Sequence, residues 1–518
     1  MKRANLTDFW ERYGTIITVT GILLLAAFFR FWRLNHLPPG LHPDEAANGL
    51  DIFRILEKHD FRPLYNTNGP REALFFYIQA IFVATMGNTI LALRMAPAFI
   101  GVAGVGTTYL WAKSWFGQRI GLLSAFALAV SPWAVTISRD GFRASMMPLM
   151  VSLTLWLYTV ALRRGDRWRF YLAGFVMGLG FYTYLSFRLF PAALVVIVAA
   201  LAVWRRPFLK KWAKPLALSL VATAIALIPL TVYGVHHPGD ILARANGVSF
   251  LNPALNHGHP IQTLGSTIAK TALMFNVHGD DNYRQNLGGQ PELNIFIGIM
   301  FILGLIIALV NLTKPRYLAL LAVFGAMLIP EILTAEGIPH ALRSIGAVGP
   351  TMILAALGIN YMLERWYATF PINSAARLAG LSAIILLLAL SAYQGYEQYF
   401  VAWANSPQTY AAYSEDAATM GKFLVSHPFV GERYVVIDGY SDKTVDYLAH
   451  NHAPYTRIDP SAIATLPLDG QPKEFVVSNS NTDQSVKDFK SRFPGGVLTP
   501  HYSSFSGSEL FLVYEVTK

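Results

Sequence analysis

Eleven apolar segments, each long enough or nearly long enough to cross a bilayer, constrain this fold more than any other feature of the sequence. A spanning helix needs about 20 apolar residues, and backbone groups in lipid find partners only within helices or closed barrels. Only 14% of the residues are charged, against about 25% in soluble domains. The chain is therefore predicted to be a polytopic α-helical membrane protein. The segments cover residues 14–32, 89–112, 119–137, 145–162, 170–186, 188–204, 214–234, 293–311, 317–334, 341–363 and 378–400.

Lysine and arginine distribution predicts the orientation of these segments. With a cytoplasmic N-terminus, the inner turns contain basic clusters such as 163–169 and 205–214, whereas the outer turns are poor in lysine and arginine. This positive-inside pattern predicts a C-terminus outside the cytoplasm. Counting the short apolar stretch 72–87 as a span would reverse every later turn. We therefore expect it to be an interfacial helix within a large outer loop at 33–88.

Two other regions are predicted to lie on the outer face. The loop 235–291 is rich in Gly, Asn, His and Asp, and a structureless loop of this length usually has a function. From about residue 401 the pattern changes to strand-like runs at 434–438, 474–477 and 510–516, with helices at Ser414–Ser426 and near 483–493. The prediction is a transmembrane domain over 1–400 and a small soluble α/β domain over 401–518.

An acidic stretch, His42-Pro43-Asp44-Glu45, follows the first apolar segment. Pro43 suits the first position of a helix, and acids are favoured in the first helical turn. Because successive helical residues point about 100° apart, only one of the two acids can serve as a catalytic base. The other is expected to bond the backbone or a neighbouring arginine. The alternative is that both acids merely cap a surface helix.

The predicted outer turns between helices carry acids, arginines or both beside aromatic residues, whereas the inner turns carry plain Lys and Arg. Charges near apolar helices are costly, so their clustering on one side predicts a polar cavity that opens outward. Arginine forks match phosphate oxygens in geometry, and the alternative for each arginine is an interfacial ion pair. The residues expected to bind a phosphate or to line this cavity are Arg139, Arg143, Arg188, His340, Arg343, Tyr184 and Glu336.

Two further groups of acids complete the candidate site. An inverting sugar transfer needs a base for the acceptor's proton, and Asp140 is the natural second acid beside Asp44 or Glu45. Asp280 and Asp281 are adjacent carboxylates that could hold a divalent metal, although two neighbouring acids are a weak signal. No other cofactor is predicted. The absence of cysteine excludes disulfides and thiolate nucleophiles.

At these residues the chain resembles GT-C membrane glycosyltransferases of the family 39 type, which include protein O-mannosyltransferases and the aminoarabinose transferase of lipid A. The resemblance implies that Asp44 is the base, that Asp140 is the second-loop acid, and that the donor is a polyprenyl-phosphate-linked sugar. Many members have Gly-Lys-Pro-Pro-Leu where this chain has Asn68–Leu74. The resemblance implies that Arg71 binds phosphate in place of that lysine. The similar segments are 42–45, 92–97, 131–140 and 182–191.

The resulting prediction is an integral membrane inverting glycosyltransferase of the plasma (inner) membrane, a hexosyl or pentosyl transferase that acts on the outer face. Its expected partners are a polyprenyl-phosphate-linked sugar donor, a lipid, glycan or protein acceptor, and membrane lipids. A net charge of +10 fits cytoplasmic loops and lipid headgroups, so nucleic acid is not implied. The alternatives are a lipid transporter or flippase, which should show inverted repeats, and a non-catalytic scaffold with the same fold.

Overall fold

The computed structural model describes residues 6–205, 207–479 and 482–517, and most of these residues are helical. Short 3₁₀ helices occur at Arg143–Ser145, Leu185–Leu189, Ile345–Ala347 and Pro460–Thr465, and a π-helix at Glu397–Trp403. The α-helices are α1 (Leu6–Phe31), α2 (Pro43–Lys58), α3 (Leu74–Met86), α4 (Ile90–Phe116), α5 (Gln118–Val130), α6 (Pro132–Ile137), α7 (Met146–Arg164), α8 (Arg167–Gly180), α9 (Phe190–Trp204), α10 (Pro207–His236), α11 (Pro238–Val248), α12 (Pro253–Asn256), α13 (Pro260–Leu273), α14 (Ile295–Val310), α15 (Pro315–Ile332), α16 (Val348–Thr369), α17 (Ser374–Tyr396), α18 (Pro407–Ala412), α19 (Glu415–Ser426), α20 (Asp442–Ala449) and α21 (Thr482–Arg492).

Eight helical segments among the described residues are long and apolar enough to cross a membrane. The chain is accordingly a multi-pass membrane protein. Three other predicted spans form shorter helices, since α5, α8 and α14 contain 13, 14 and 16 residues. A count of eleven spans therefore stays a prediction. The eight segments are Arg12–Phe31, Ile90–Phe116, Arg143–Arg164, Leu185–Trp204, Pro207–His236, Pro315–Ile332, Ile345–Thr369 and Ser374–Trp403.

The predicted span 119–137 is interrupted by Ser131-Pro132. Helix α5 ends at Val130, because a proline lacks the N–H that would continue the helical ladder. The Ser131 hydroxyl then accepts a hydrogen bond of 3.5 Å from the Ala134 N–H and caps α6. This local break places the polar turn that carries Arg139 and Asp140 directly after a six-residue helix.

The chain divides into two compact units, and their boundaries differ from the predicted domains. The first unit contains Met1–Trp32, Arg62–Phe75 and Met95–Trp403, and the second contains Arg33–Phe61, Phe76–Arg94 and Ala404–Lys518. Parts of the first large loop thus belong with the C-terminal region. The reason is aromatic packing within the second unit, where Phe53 of α2 stacks on Tyr447 of α20 with ring centroids 5.4 Å apart.

Small residues allow the helices of the first unit to pack closely. A Cβ added at Gly304 of α14 would lie 1.7 Å from the carbonyl oxygen of Leu354 in α16. A Cβ at Gly174 of α8 would lie 2.0 Å from the Ser219 carbonyl oxygen in α10. Backbones that approach so closely are typical of helix pairs in membranes, where packing replaces the hydrophobic effect as the driving force.

The region 235–291 was expected to be structureless, and this expectation is wrong for its first half. It contains α11, α12 and α13, each of which begins with a proline at its first helical position. Proline is pre-organised for that position because its fixed φ suits the helix and its missing N–H is not needed there. Asn252 also caps α12 by accepting a hydrogen bond of 3.1 Å from the Ala254 N–H.

The first unit contains a short antiparallel hairpin, and the second contains a five-stranded sheet. The sheet order is β4-β3-β5-β7-β6, with β3 parallel to β4 and β5, and β7 antiparallel to β5 and β6. The sequence patterns predict β3, β5, β7, α19 and α21 within a few residues but miss α18, α20, β4 and β6, the last of which contains Pro500. Proline is tolerated there because β6 is an edge strand. The strands are β1 (Leu64–Tyr65), β2 (Arg71–Glu72), β3 (Glu432–Val436), β4 (Thr456–Arg457), β5 (Lys473–Ser478), β6 (Val497–Tyr502) and β7 (Glu509–Val516).

Candidate active site

Asp44 lies in the first turn of α2 in the second unit, where its side chain is 30% exposed. His42 caps this helix, because its Nδ1 accepts a hydrogen bond of 3.0 Å from the Asp44 N–H. The same His42 nitrogen lies 3.8 Å from the Asp44 carboxylate. The cap fixes the direction in which the carboxylate leaves the helix. Acceptance at Nδ1 also means that a neutral His42 carries its proton on Nε2.

Tyr440 of the C-terminal region also contacts this carboxylate. Its phenol donates a hydrogen bond of 2.9 Å to Asp44 Oδ1, and its ring lies edge-on to the His42 ring at 6.0 Å. The loop that carries Tyr440 is itself ordered by Asp438, whose carboxylate accepts hydrogen bonds from the Tyr440 and Ser441 N–H groups. Asp44 is therefore oriented by groups from two of the three sequence segments of the second unit.

Glu45, the neighbouring acid, is fully buried in an ion pair with Arg94. Arg94 Nε and Nη2 each lie 3.1 Å from a different carboxylate oxygen, a two-pronged arrangement. The same guanidinium donates hydrogen bonds to the carbonyl oxygens of Pro38 and Gly40 at 2.6 and 3.0 Å. Glu45 is thus the acid of the two that bonds a neighbouring arginine, and its placement among the catalytic acids stays a prediction. It ties the start of α2 to α4 and to the preceding turn.

In the first unit, Glu72 of the β1–β2 hairpin joins two of the predicted phosphate-binding arginines. Arg143 Nε donates to Glu72 Oε2 at 2.8 Å, and Arg188 Nη2 lies 3.5 Å from Glu72 Oε1. The Arg143 guanidinium also lies over the Tyr184 ring at 5.3 Å from its centroid. Arg143 has no hydrogen bond from its two terminal nitrogens to any described residue. This side chain can therefore offer a fork of donors to an anion.

Arg71 lies on β2 beside Glu72 and is 3% exposed. The hairpin register places it opposite Tyr65, with Glu72 opposite Leu64. Neighbouring residues in a strand point to opposite faces, so Arg71 and Glu72 serve different surroundings. Arg71 therefore lies in the same hairpin as Glu72, which is the partner of Arg143 and Arg188.

Arg139 holds helices together, and its role in phosphate binding stays a prediction. Its Nη1 and Nη2 donate to the carbonyl oxygens of Phe29 and Trp32 at 2.9 and 2.8 Å, and its Nε donates to the Tyr399 hydroxyl at 3.0 Å. The side chain is fully buried. These bonds satisfy the end of α1, whose last carbonyl groups lack helical partners. Asp140, the predicted second acid, is also fully buried in the turn that follows.

Arg343 and Glu336 form an ion pair at 3.0 Å, in which the glutamate side chain is 60% exposed and the arginine 10%. Arg343 also donates to the Glu336 carbonyl oxygen and, at 3.3 Å, to the Thr334 hydroxyl. Its own carbonyl oxygen accepts a hydrogen bond of 3.3 Å from Ser186, which lies in the 3₁₀ helix that carries Arg188. The structure thus brings the Arg343 segment against the segment of Arg188 within the first unit.

Asp280 anchors the loop that contains His340. Its Oδ2 accepts a hydrogen bond of 2.8 Å from the Ala341 N–H and lies 3.7 Å from His340 Nδ1. Burial raises the pKa of Asp280 to about 6, although hydrogen bonds from the Asn282 and Ala341 N–H groups partly oppose the shift. Burial and the nearby Asp280 also raise the pKa of Glu292, whose Oε1 accepts a hydrogen bond from the Asp280 N–H. These acids order the loop.

Asp281 does not share the surroundings of Asp280. Its side chain is 73% exposed and pairs with His278 at 3.1 Å, whereas Asp280 is turned into the protein. Within residues 6–205, 207–479 and 482–517, no three His, Asp or Glu side chains are arranged to hold a metal ion. The two adjacent acids therefore do not converge on one metal position.

Three residues of these sites escaped the sequence-based list of site residues. Glu72 is the first residue of the predicted interfacial segment 72–87, but its link to two arginines depends on segments far apart in the chain. Tyr440 lies in the region predicted to be a separate domain, and Arg94 lies inside an apolar segment. For Arg94 a signal existed, because an arginine within an apolar helix is costly and needs a partner.

Comparisons with known proteins agree with this architecture. Residues 70–233 match the family described as dolichyl-phosphate-mannose-protein mannosyltransferase. Over 127 residues the chain is 28% identical to a putative mannosyltransferase, YkcB, of Bacillus subtilis strain 168. This match covers 24% of the chain but only 18% of the length of that relative.

Two solved structures match along nearly the whole chain. ArnT from Cupriavidus metallidurans, bound to undecaprenyl phosphate, superposes with a TM-score of 0.54 at 14% identity and covers 97% of this chain and 98% of its own. The Archaeoglobus fulgidus oligosaccharyltransferase with a tethered acceptor peptide gives 0.54 at 14% identity, with 95% and 70% covered. At these identities the matches show the fold. The chain has a GT-C fold and is similar to family 39-type glycosyltransferases.

Proposed function

We propose that this multi-pass GT-C protein is an inverting glycosyltransferase that moves a sugar from a polyprenyl-phosphate donor to an acceptor. Three observations support the proposal. Residues 70–233 match a family of mannosyltransferases, and a structure of the same fold binds undecaprenyl phosphate. The motif acid Asp44 is also partly exposed and oriented by its neighbours, whereas the adjacent Glu45 is fully engaged by Arg94.

The state of Asp44 is the single observation that carries the proposal. A general base has to reach its proton donor, so it needs both exposure and a fixed direction. Asp44 is 30% exposed, its backbone N–H donates a hydrogen bond to the His42 cap, and its carboxylate accepts one from Tyr440. In the proposed reaction the acceptor hydroxyl oxygen forms a bond to the anomeric carbon of the donor sugar. Asp44 takes the hydroxyl proton, and the bond from the anomeric carbon to the phosphate oxygen breaks with its electron pair leaving on the polyprenyl phosphate.

Arginines of the first unit are proposed to bind the donor phosphate. Arg143 is the leading candidate, because its terminal nitrogens have no described partner while its Nε is held by Glu72. Such a fork suits phosphate oxygens and stabilises the charge that develops on the leaving group. Arg71, Arg188, His340 and Arg343 are proposed to support this binding. Asp140 is proposed as the second acid of the site. Asp280 and Glu336 are proposed to order the loops around the phosphate-binding residues.

The acceptor is proposed to be a lipid, a glycan or a protein on the outer face of the plasma membrane, with the N-terminus in the cytoplasm. The distribution of Lys and Arg supports this orientation. Because Tyr440 contacts Asp44, the C-terminal part of the second unit is proposed to help position the acceptor. Of the two matched structures, one was solved with undecaprenyl phosphate and the other with an acceptor peptide.

The test combines purified protein with cell chemistry. The protein is reconstituted in liposomes with undecaprenyl phosphate that carries mannose, glucose or aminoarabinose, and release of undecaprenyl phosphate is followed. In parallel, mass spectrometry compares the lipids and surface glycans of cells that contain and lack the chain. Sugar transfer from one of these donors supports the proposal. Movement of the lipid between leaflets without cleavage of its sugar would instead support a flippase.

A further inference from the structure

The first unit contains a large apolar cavity that the candidate active site does not use. It has a volume of about 830 Å³ and lies between α7, α8, α9, α10 and the start of α15. Its walls are aliphatic, with residues such as Leu155, Leu194, Val198 and Ala202. The hydroxyls of Tyr158 and Ser219 in the wall hydrogen-bond to each other, so neither needs a polar ligand. The cavity can therefore accept hydrocarbon.

The cavity follows one helix along most of its length. Residues of α9 line it from Pro191, in the first turn, to Arg205, just past the last turn. At 1.5 Å per helical residue this distance is about 20 Å. One leaflet contributes roughly half of a hydrocarbon core about 30 Å thick, so an acyl chain of one leaflet fits along the cavity.

The mouth of the cavity is basic. Arg163, Arg205, Lys211 and Arg316 line it at neighbouring helix ends. None of these four side chains forms an ion pair with a carboxylate in the part of the chain that the structure describes. Two of them lie over aromatic rings, since Lys211 Nζ is 4.7 Å from the Trp212 ring and the Arg316 guanidinium is 5.5 Å from the Phe116 ring.

Tryptophans at the mouth place it at a membrane interface. Trp115 and Trp212 both line the cavity, and Trp115 Nε1 donates a hydrogen bond of 2.7 Å to the Thr159 hydroxyl. Tryptophan is enriched where hydrocarbon meets headgroups. The mouth is also remote from the donor arginines. Arg143 precedes the first residue of α7, whereas Arg163 lies in the last turn of this helix. With 19 residues, α7 is about 28 Å long.

We propose that this cavity is a binding site for an anionic phospholipid of the leaflet opposite the donor arginines of the first unit. The lipid phosphate lies among the four basic side chains, and an acyl chain fills the apolar groove along α9. Charge complementarity selects an anionic headgroup, because the lining residues supply four cations and no carboxylate. Basic pockets between membrane helices on the cytoplasmic side are known to suit such headgroups. The bound lipid would pack α9 against α8 and α10.

Native mass spectrometry of the full-length protein tests the headgroup contact. The protein in detergent receives equal amounts of phosphatidylglycerol and phosphatidylcholine. We expect retention of one phosphatidylglycerol molecule, and a decrease in its affinity of at least about tenfold in the variant R205Q/K211Q/R316Q. The matched control R119Q/K210Q/R377Q removes the same charge from residues that do not line the cavity. It should retain the lipid as the unmodified protein does.

A second pair of variants tests the groove. Ala202→Trp fills the cavity, whereas Val203→Trp, on the 73% exposed neighbouring position, adds the same side chain outside it. The first variant should lose the bound phosphatidylglycerol and the second should keep it. Equal retention in the two charge variants, equal retention in the two tryptophan variants, or preferential retention of added undecaprenyl phosphate would each overturn the proposal.

Discussion

The Tyr440 phenol donates a 2.9 Å hydrogen bond to the carboxylate of Asp44, although the two residues lie 396 positions apart in the chain. The contact joins the C-terminal sheet region to the first turn of α2 within one compact unit. It gives the proposed base a defined direction while 30% of its side chain stays exposed.

Asp44→Asn should abolish sugar transfer and leave the protein folded in the membrane. The amide keeps the size of the side chain and can still accept the hydrogen bond from Tyr440, but it cannot take a proton. Loss of a general base costs about 10²- to 10⁴-fold in rate. The measurement is donor turnover in liposomes, with Glu57→Gln on the same helix as the matched control. Full turnover in the Asp44 variant would remove it as the base.

Tyr440→Phe should lower turnover while the helix cap at His42 persists. Without the phenol the carboxylate loses the hydrogen bond from Tyr440, and its direction becomes less defined. We expect a fall in kcat of about tenfold, with the donor KM almost unchanged. Tyr502→Phe, at a 57% exposed tyrosine of β6, is the control. Equal kcat values in the two variants would show that Tyr440 does not position the base.

Glu45→Gln should destabilise the second unit much more than it affects any chemical step. Removing one member of a fully buried ion pair leaves the charge of Arg94 uncompensated, which costs about 3–5 kcal/mol. The double variant E45Q/R94M should recover part of that loss, because the unpaired charge is gone. The midpoint of thermal unfolding in detergent measures both effects, and purely additive losses would contradict the coupling.

Arg143→Lys should weaken donor binding more than it slows transfer at saturating donor. Lysine keeps the positive charge but loses the fork of donors that suits phosphate oxygens. Arg343→Ala should act in the same direction, with a smaller effect because Glu336 occupies its guanidinium. Donor KM and kcat separate binding from chemistry. Arg119→Lys serves as the control for Arg143→Lys, and an unchanged donor KM in both site variants would count against this role.

The loop 278–292 should become less stable as the pH rises through about 4 to 6. The pKa of Asp280 is raised to about 6 in the folded protein, so the folded state binds more protons than the unfolded state within this window. Ionisation of the buried carboxyl then costs at most roughly 3 kcal/mol. Hydrogen exchange of the loop amides at pH 4.5 and 7 measures the effect after correction for intrinsic exchange. Asp280→Asn should flatten this dependence, and a rise in protection with pH would contradict it.

Much of the fold could be predicted because the signals are local. Apolar length predicted the eight spanning segments, and the change in pattern near residue 401 predicted three of the five C-terminal strands and two of the four C-terminal α-helices. The lengths of the shorter helices were overestimated. For α5 the reason is that hydropathy does not reveal the break that Pro132 imposes after this helix. β6 was not predicted because it contains Pro500, and proline argues against a strand. The edge position of β6 tolerates a proline that a central strand would exclude.

The sequence named candidate site residues one by one but not the pairs they form. Sequence alone determined that helices cross a membrane, that Asp44 lies in the first turn of a helix, and that the few arginines of the predicted outer turns lie beside acids and aromatic residues, since these features depend on composition and on neighbours within a few residues. Only the tertiary structure decided that Arg94 engages Glu45, that Arg139 ties α1 to Tyr399, and that Glu72 joins Arg143 to Arg188. Such pairs form where distant segments of the chain pack together. The spacing of residues along the chain does not determine which distant side chains will meet.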